Sequence, residues 1–239
     1  MRLLQWQLAL LAGLWLALFL AWQVLAAVDF GYPLWYELAE IDDTIAAYGP
    51  RNRYRDGFEE TDRREHLRLF GAIVDAVRHG GDGLRALRYR DPGGRALGRL
   101  LRPAEVRHLE DVAGLVARFR WSAVAAAAML LGMVLVLRRG RARRPGWAAL
   151  LGPPVLVLVL AALSVWLIGP ERTFYAWHEQ VFSGQWFFYY QESLMTTLMK
   201  APVLFAYIAA AWGTIGLLLF AVLLAALLRL AAGGQGPCT

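Results

Sequence analysis

The chain has a single cysteine, Cys238, and a single lysine, Lys200. One cysteine cannot form an intramolecular disulfide, which excludes the disulfide-stapled scaffolds common among small exported domains. With one lysine among 25 basic residues, the arginine bias reads as genomic base composition and carries little functional information. Charge is scarce as well, at 18% of residues with a net charge of +6. The arginines cluster beside apolar runs rather than on a polar domain, so membrane orientation explains them and nucleic acid is set aside. There is no HExxH and no CxxCH, and no histidine falls in the middle of an apolar run. Haem or metal ligation therefore ranks behind acid-base chemistry, and no cofactor is expected. No internal repeat is present either.

Hydrophobic residues, by contrast, make up 58% of the chain, and its mean hydropathy is +0.41. Such a composition belongs to a multi-spanning membrane protein. A helix crosses the hydrocarbon core with about 20 apolar residues, each rising about 1.5 Å. Four runs qualify, at about 3–28, 112–137, 147–168 and 202–230. The expected fold is an all-α integral membrane protein of one membrane domain, 1–239. Its four transmembrane helices carry an extracytoplasmic helical cap, 29–111, between the first and second spans, and an outer aromatic loop, 169–201.

Orientation follows from the connection at 138–144, RRGRARR, whose five arginines keep it cytoplasmic under the positive-inside rule. Alternation then places both termini in the cytoplasm and the two long connections outside. The long outer segment is rich in arginine too, but long loops translocate largely regardless of charge. Val24-Leu25-Ala26 resembles a signal-peptidase site, yet the first apolar run exceeds the usual signal core of about 7–15 residues, which favours a retained anchor.

Within the cap, Asp62 and Glu65 form a capping box, and Leu67, Phe70, Ile73, Val74 and Val77 repeat at helical spacing until Gly80-Gly81. Asp91-Pro92-Gly93-Gly94 reads as a tight turn. Strand-like alternation is poor, so helices are expected. A helix starting at Pro103 meets no breaker before Trp121 and should run straight into the second span.

Two stretches can carry chemistry. In LRPAEVRHLEDV, Glu105, His108 and Asp111 lie three residues apart, so a carboxylate can orient the imidazole and leave its other nitrogen free. The competing interpretation is a solvated helix whose carboxylates pair with Arg102 and Arg107. In FYAWHEQVFSGQWFFYY, His178 sits in the densest aromatic cluster of the chain, where the competing interpretation is an interfacial belt with an inert histidine. Topology places both imidazoles on one side of the membrane. His108 precedes Trp121 by about 20 Å of straight helix, so the span must start early or tilt for the imidazole to reach interfacial depth. His66 and His79, on the cap helix, read as structural. Cys238 lies on the opposite side, which excludes a Cys-His nucleophile. Ser183 and Ser193 lack a nucleophile-elbow context.

EVRHLEDV (Glu105, His108, Asp111) and WHEQVFSGQWFF (His178, Glu179, Phe182, Trp186, Phe188) together resemble the bacterial integral membrane proteins of the lipoprotein intramolecular transacylase (Lit) type. The four-span layout with a large outer segment after the first span is similar too. The resemblance implies transfer of the sn-2 acyl chain of a diacylglyceryl-modified N-terminal cysteine to that cysteine's α-amine, giving lyso-form lipoprotein. It implies His108 and His178 as the catalytic pair, and it places the protein in the bacterial cytoplasmic (inner) membrane with its active site facing outward. The partners it implies are diacylated bacterial lipoproteins and membrane lipid. Glu105, Asp111 and Glu179 are the candidate orienting groups, and Arg172, Tyr175 and Trp186 the candidate headgroup or oxyanion contacts. The arginine-rich loop around Asn52 and the Pro92-Gly93-Gly94 turn depart from better-known Gram-positive members. Rival readings are a phospholipid acyltransferase or hydrolase, a noncatalytic assembly or sensing protein with a partner-binding cap, and a haem or quinone subunit.

Overall fold

The computed structural model describes residues 2–139 and 145–232. Most of the arginine-rich connection and Cys238 lie outside the described residues. Among the described residues four helices are long and apolar enough to cross a membrane, and the protein is an all-α integral membrane protein. They are α1 (Arg2–Ala26), α5 (Pro103–Arg139), α6 (Trp147–Ile168) and α9 (Val203–Ala232). The shorter helices are α2 (Tyr32–Leu38), α3 (Ile41–Tyr48), α4 (Arg63–Arg78), α7 (Pro170–Val181) and α8 (Leu194–Met199), with strands β1 (Arg88–Arg90) and β2 (Ala96–Arg99) between α4 and α5. As the missing breaker suggested, α5 is one unbroken helix of 37 residues.

The chain divides into two compact units. The first comprises Met1–Val24, Phe119–Gly169 and Ala210–Thr239. Its core is leucine-rich with two aromatic rings: Trp6, Leu10 and Leu14 of α1 join Leu137, Leu150 and Phe220. Two indole N–H groups find acceptors here, whereas that of the buried Trp6 has none. Trp15 donates to Ser122 Oγ at 3.0 Å and Trp212 to the Leu18 carbonyl at 2.7 Å. Gly216 permits a close approach, because a Cβ there would lie 2.7 Å from Leu18 Cδ2. Much of the outer face stays apolar, with Trp166 at 79% exposure. Such a surface is stable only against lipid tails.

The second unit comprises Leu25–Arg118 and Pro170–Ala209. Tyr32 stacks on Phe70 with centroids 3.9 Å apart, and its hydroxyl donates to the Leu198 carbonyl at 2.6 Å. Lys200 donates to the Ala39 carbonyl at 2.6 Å and closes the end of α2. Asp62 caps α4 by accepting from the Glu65 N–H at 2.8 Å. Only half of the expected capping box forms, because the Glu65 carboxylate turns to Arg68. Gly80 and Gly81 both have positive φ, and the Gly81 N–H bonds the Ala76 carbonyl at 2.8 Å, ending α4 as a Schellman motif.

One element departs from the helical expectation. The Asp91–Gly94 turn joins β1 and β2 into an antiparallel hairpin with a bulge at Tyr89/Arg90. Tyr89 is the reason it holds: its side chain crosses Gly98, where a Cβ would lie 2.7 Å from the phenol oxygen, and its hydroxyl donates to the Asp56 carbonyl. Three and four residues are too few for an alternation to register in the sequence.

Candidate functional site

All eight residues singled out in the sequence lie in the second unit. α5 buries one face through Val106, Leu109, Ala113 and Val116, and His108, on the flank of that face, is itself buried at 8% exposure. α7 carries His178 four residues after Phe174 and so on the same helical face, and Phe182, the residue after the helix, returns to that side with its N–H on the His178 carbonyl at 2.9 Å. The two imidazoles come together with centroids 6.1 Å apart. Phe182 packs against both, at 4.8 Å from His108 and 5.4 Å from His178. Phe174 lies 3.9 Å from His178, Trp186 5.5 Å, and Phe188 closes the far side of His108 at 6.1 Å.

The hydrogen bonds assign the tautomer of one ring. His178 Nδ1 donates to the Phe174 carbonyl at 2.8 Å. A carbonyl only accepts, so the neutral ring carries its proton on Nδ1 and presents a lone pair on Nε2. Burial pushes the His178 pKa below the ordinary imidazole value, and the same carbonyl partly restores it. His178 is thus a neutral base near pH 7. Its partner His108 has a buried Nδ1 with no hydrogen-bond partner. An unsatisfied buried nitrogen is costly, and one beside a second imidazole is chemically available.

The supporting residues divide sharply. Trp186 is a wall of the site, and Tyr175 stands behind it at 6.1 Å, with Phe187 at 5.7 Å. Glu105 is fully buried at 0% exposure but turns away from the imidazole: it accepts from the Arg102 backbone N–H at 2.5 Å, with the Ser193 hydroxyl against the carboxylate. Asp111, Arg172 and Glu179 are exposed. Among the described residues no carboxylate hydrogen-bonds either ring of the pair, so the rings face aromatic carbon and each other. Sequence reasoning missed Phe174 and its carbonyl, and it took Arg102 only as an ion-pair partner. The four-residue spacing of Phe174, His178 and Phe182 was the available signal.

These features define a class: an all-α integral membrane protein with two imidazoles held together in a cluster of aromatic rings and, among the described residues, hydrogen-bonded by no carboxylate. Two solved structures share its fold. Both are in meso structures of the membrane integral lipoprotein intramolecular transacylase Lit from Bacillus cereus, one of them a point-substituted form. Each is 15% identical with a TM-score of 0.67 and covers 98% of this chain, and the match spans 93% of the substituted form and 97% of the other. At that identity the likeness is one of fold. No family model matches the chain, and no curated protein matches it.

Proposed function

We propose that this protein is a membrane acyltransferase that moves the sn-2 acyl chain of a diacylglyceryl-modified lipoprotein onto the α-amine of its N-terminal cysteine, with His108 and His178 as acid-base pair. The observation that carries the reading is the approach of the two imidazoles, one with a free Nε2 and one with an unpartnered Nδ1, among aromatic rings. The shared fold with structures of a lipoprotein intramolecular transacylase supports the substrate class.

The chemistry needs little more. The amine nitrogen attacks the ester carbonyl carbon and a C–N bond forms. His178 Nε2 takes the amine proton, and the resulting imidazolium keeps its Nδ1 bond to Phe174 O. A neutral His108 donates its one N–H to the developing oxyanion, and as the C–O bond breaks the proton held on His178 Nε2 passes to the departing glyceryl oxygen, directly or by relay through His108, which returns both rings to neutral. Ester and amine become amide and alcohol, and no water is consumed. Amine and ester are tethered in one molecule, so the protein mainly supplies orientation and proton transfer, the latter about 10²–10⁴-fold. Water would hydrolyse the ester instead, which an aromatic pocket opposes. The arginines at 138–144, read by the positive-inside rule, support an outward-facing site, and the shared fold supports a bacterial cytoplasmic membrane as its location.

Transfer within one molecule leaves mass unchanged, so the test is tandem mass spectrometry of lipoprotein N-terminal peptides from cells with and without the protein. The expected product has the same mass with one acyl chain on nitrogen. A phospholipid enzyme would leave these peptides unaltered, and a lipoprotein hydrolase would lower their mass by one acyl chain. Either result overturns the proposal.

A further inference from the structure

Helices on water-soluble domains bury their aliphatic side chains and show their polar ones, and α2 does the reverse. Tyr32 and Tyr36, one turn apart, are buried at 0% and 3% exposure, whereas Leu34 and Leu38 are exposed at 56% and 58%. At about 100° per residue, the two leucines lie together on the face opposite the two tyrosines. Both tyrosines spend their hydroxyls inward, Tyr32 on the Leu198 carbonyl and Tyr36 on the Asp42 carboxylate at 2.8 Å. The one charge of the helix, Glu37, pairs with Arg63 at 2.8 Å. What α2 turns outward between these contacts is aliphatic, and such a face is stable under a cover other than water.

The level of the helix identifies that cover. Trp35 stacks on Tyr207 with centroids 5.3 Å apart and planes at 19°. Tyr207 belongs to the second turn of α9, whose apolar stretch Val203–Leu230 has 28 residues. That stretch is about 42 Å long, the thickness of a bilayer with its headgroups. Tyr207, about 6 Å along the axis from Val203, then falls at the boundary of headgroups and hydrocarbon, where Trp and Tyr are enriched. Trp35 needs no water there, because its indole N–H donates to the Phe30 carbonyl at 2.8 Å. Lys200, three residues before α9, holds the far end of α2 through the Ala39 carbonyl. Only residues 27–31 separate α2 from the end of the α1 span, a connection of at most about 20 Å even when fully extended. A helix tied to the mouth of a span in this way meets lipid on its free face. The same two turns of α9 also serve the imidazole site, since Phe205 packs on Phe174 of α7 at 5.2 Å.

We infer that α2 is an interfacial helix whose Leu34 and Leu38 insert among the acyl chains of bilayer lipid, and that the α9 turns it shares with α7 hold His178 at the level of the lipid esters. Lipid hydrocarbon is the occupant of this face. The contact is independent of acyl transfer, so its failure and that of the proposed reaction are separately visible.

The test uses the full chain in phospholipid nanodiscs. Cys238→Ser removes the native thiol, and single cysteines then carry an environment-sensitive fluorophore at Leu34→Cys, Leu38→Cys and Trp177→Cys, the last being an exposed neighbour of His178. Trp166→Cys, on the apolar surface of α6, is the lipid reference, and the exposed Asp82→Cys is the water reference. Two quenchers are compared: phospholipid brominated near the ester end of its chains, and aqueous iodide. The labels at 34 and 38 should lose emission to the brominated lipid as the Trp166 label does and resist iodide, whereas the Asp82 label should respond to iodide alone. The Trp177 label should respond to the brominated lipid too. Labels at 34 and 38 that follow Asp82 would show a face in water, and labels shielded from both quenchers would show a protein cover. Either result overturns the inference, and a Trp177 label quenched only by iodide overturns the level assigned to His178. A phospholipid with a diazirine on its acyl chain reads the unsubstituted protein directly. Adducts on the peptide holding Leu34 and Leu38 support the inference, and their absence beside adducts on α6 sinks it.

Discussion

Two places in the second unit bury imidazoles, and they treat them in opposite ways. His66, at 2% exposure, has both nitrogens engaged, Nδ1 with the Tyr36 hydroxyl at 2.8 Å and Nε2 with the Thr61 hydroxyl at 2.6 Å. Tyr36 donates onward to Asp42, so a neutral His66 donates from Nδ1 to the phenol, and its Nε2 accepts from Thr61 when that hydroxyl turns its one proton from the Phe58 carbonyl, 2.5 Å away, to the ring. Across the unit, His178 has one nitrogen satisfied and one free, and His108 has a buried Nδ1 with nothing. Burial lowers the pKa of both His66 and His178. Depressed basicity therefore does not separate structure from chemistry. Unspent hydrogen-bonding capacity does, because a satisfied imidazole must give up a bond before it can react.

The sharpest way to break this contrast is substitution at the three rings. His178→Ala and His108→Ala should each reduce acyl transfer by about 10²–10⁴-fold; His178→Ala should leave thermal unfolding in detergent nearly unchanged, and His108→Ala, which opens a cavity beside Phe182 but strands no hydrogen-bond partner, should lower it by less than His66→Ala does. His66→Ala should do the reverse. It strips partners from Tyr36 and Thr61 and opens a cavity between Phe58 and Tyr36, at a cost of about 2–3 kcal/mol of stability. The folded fraction should keep its turnover. An active and stable His108→Ala variant would remove the basis of the contrast.

Acidity gives the next largest effect. The His66 pKa is pushed down to about 4 in the folded protein, from an ordinary 6.5, chiefly by burial. The unfolded chain then takes up a proton first as pH falls. Stability from this group is complete above pH 6.5 and is lost progressively down to pH 4, by up to about 3 kcal/mol. Unfolding measured across that window should show the slope, and His66→Phe should flatten it. Activity follows the other site: the folded-state depression of His178 keeps Nε2 neutral to lower pH, so the acid limb of turnover should fall below 6.5. Phe182→Ala admits water to both rings and should move that limb upward.

The sequence made some of this legible and hid the rest for physical reasons. Apolar length gave the four long helices, and the uninterrupted stretch from Pro103 gave α5 as one piece. Asp62 and Gly80-Gly81 marked both ends of α4. The pairing of His108 with His178 came from topology and a resemblance, because contacts between residues 70 apart leave no local period to read. The tautomer of His178 depends on a backbone carbonyl, which every residue type supplies equally. The stacking of Arg102 on Tyr54 and Phe188 needs two distant segments, so its sequence neighbours suggested only an ordinary i,i+3 ion pair with Glu105. The carboxylates were the most misleading guide, since three-residue spacing beside His108 looks the same whether a side chain turns toward the ring or away from it.

That last point yields the smallest expected effect and a demanding one. Asp111 and Glu179 are exposed charges on the same helices as His108 and His178. If a carboxylate oriented either ring, its loss would release the imidazole and lower the acid limb of that variant alone, because the negative charge had favoured the protonated ring. The geometry has His178 held by Phe174 O and both rings held by packing, so Asp111→Asn and Glu179→Gln should each change turnover by less than about threefold and leave the pH profile in place. Screening at high salt should imitate them, because solvent already attenuates both charges. A tenfold loss in either variant, with a shifted acid limb, would mean that the chemistry draws on a carboxylate after all and that the aromatic walls alone do not set the basicity of the pair.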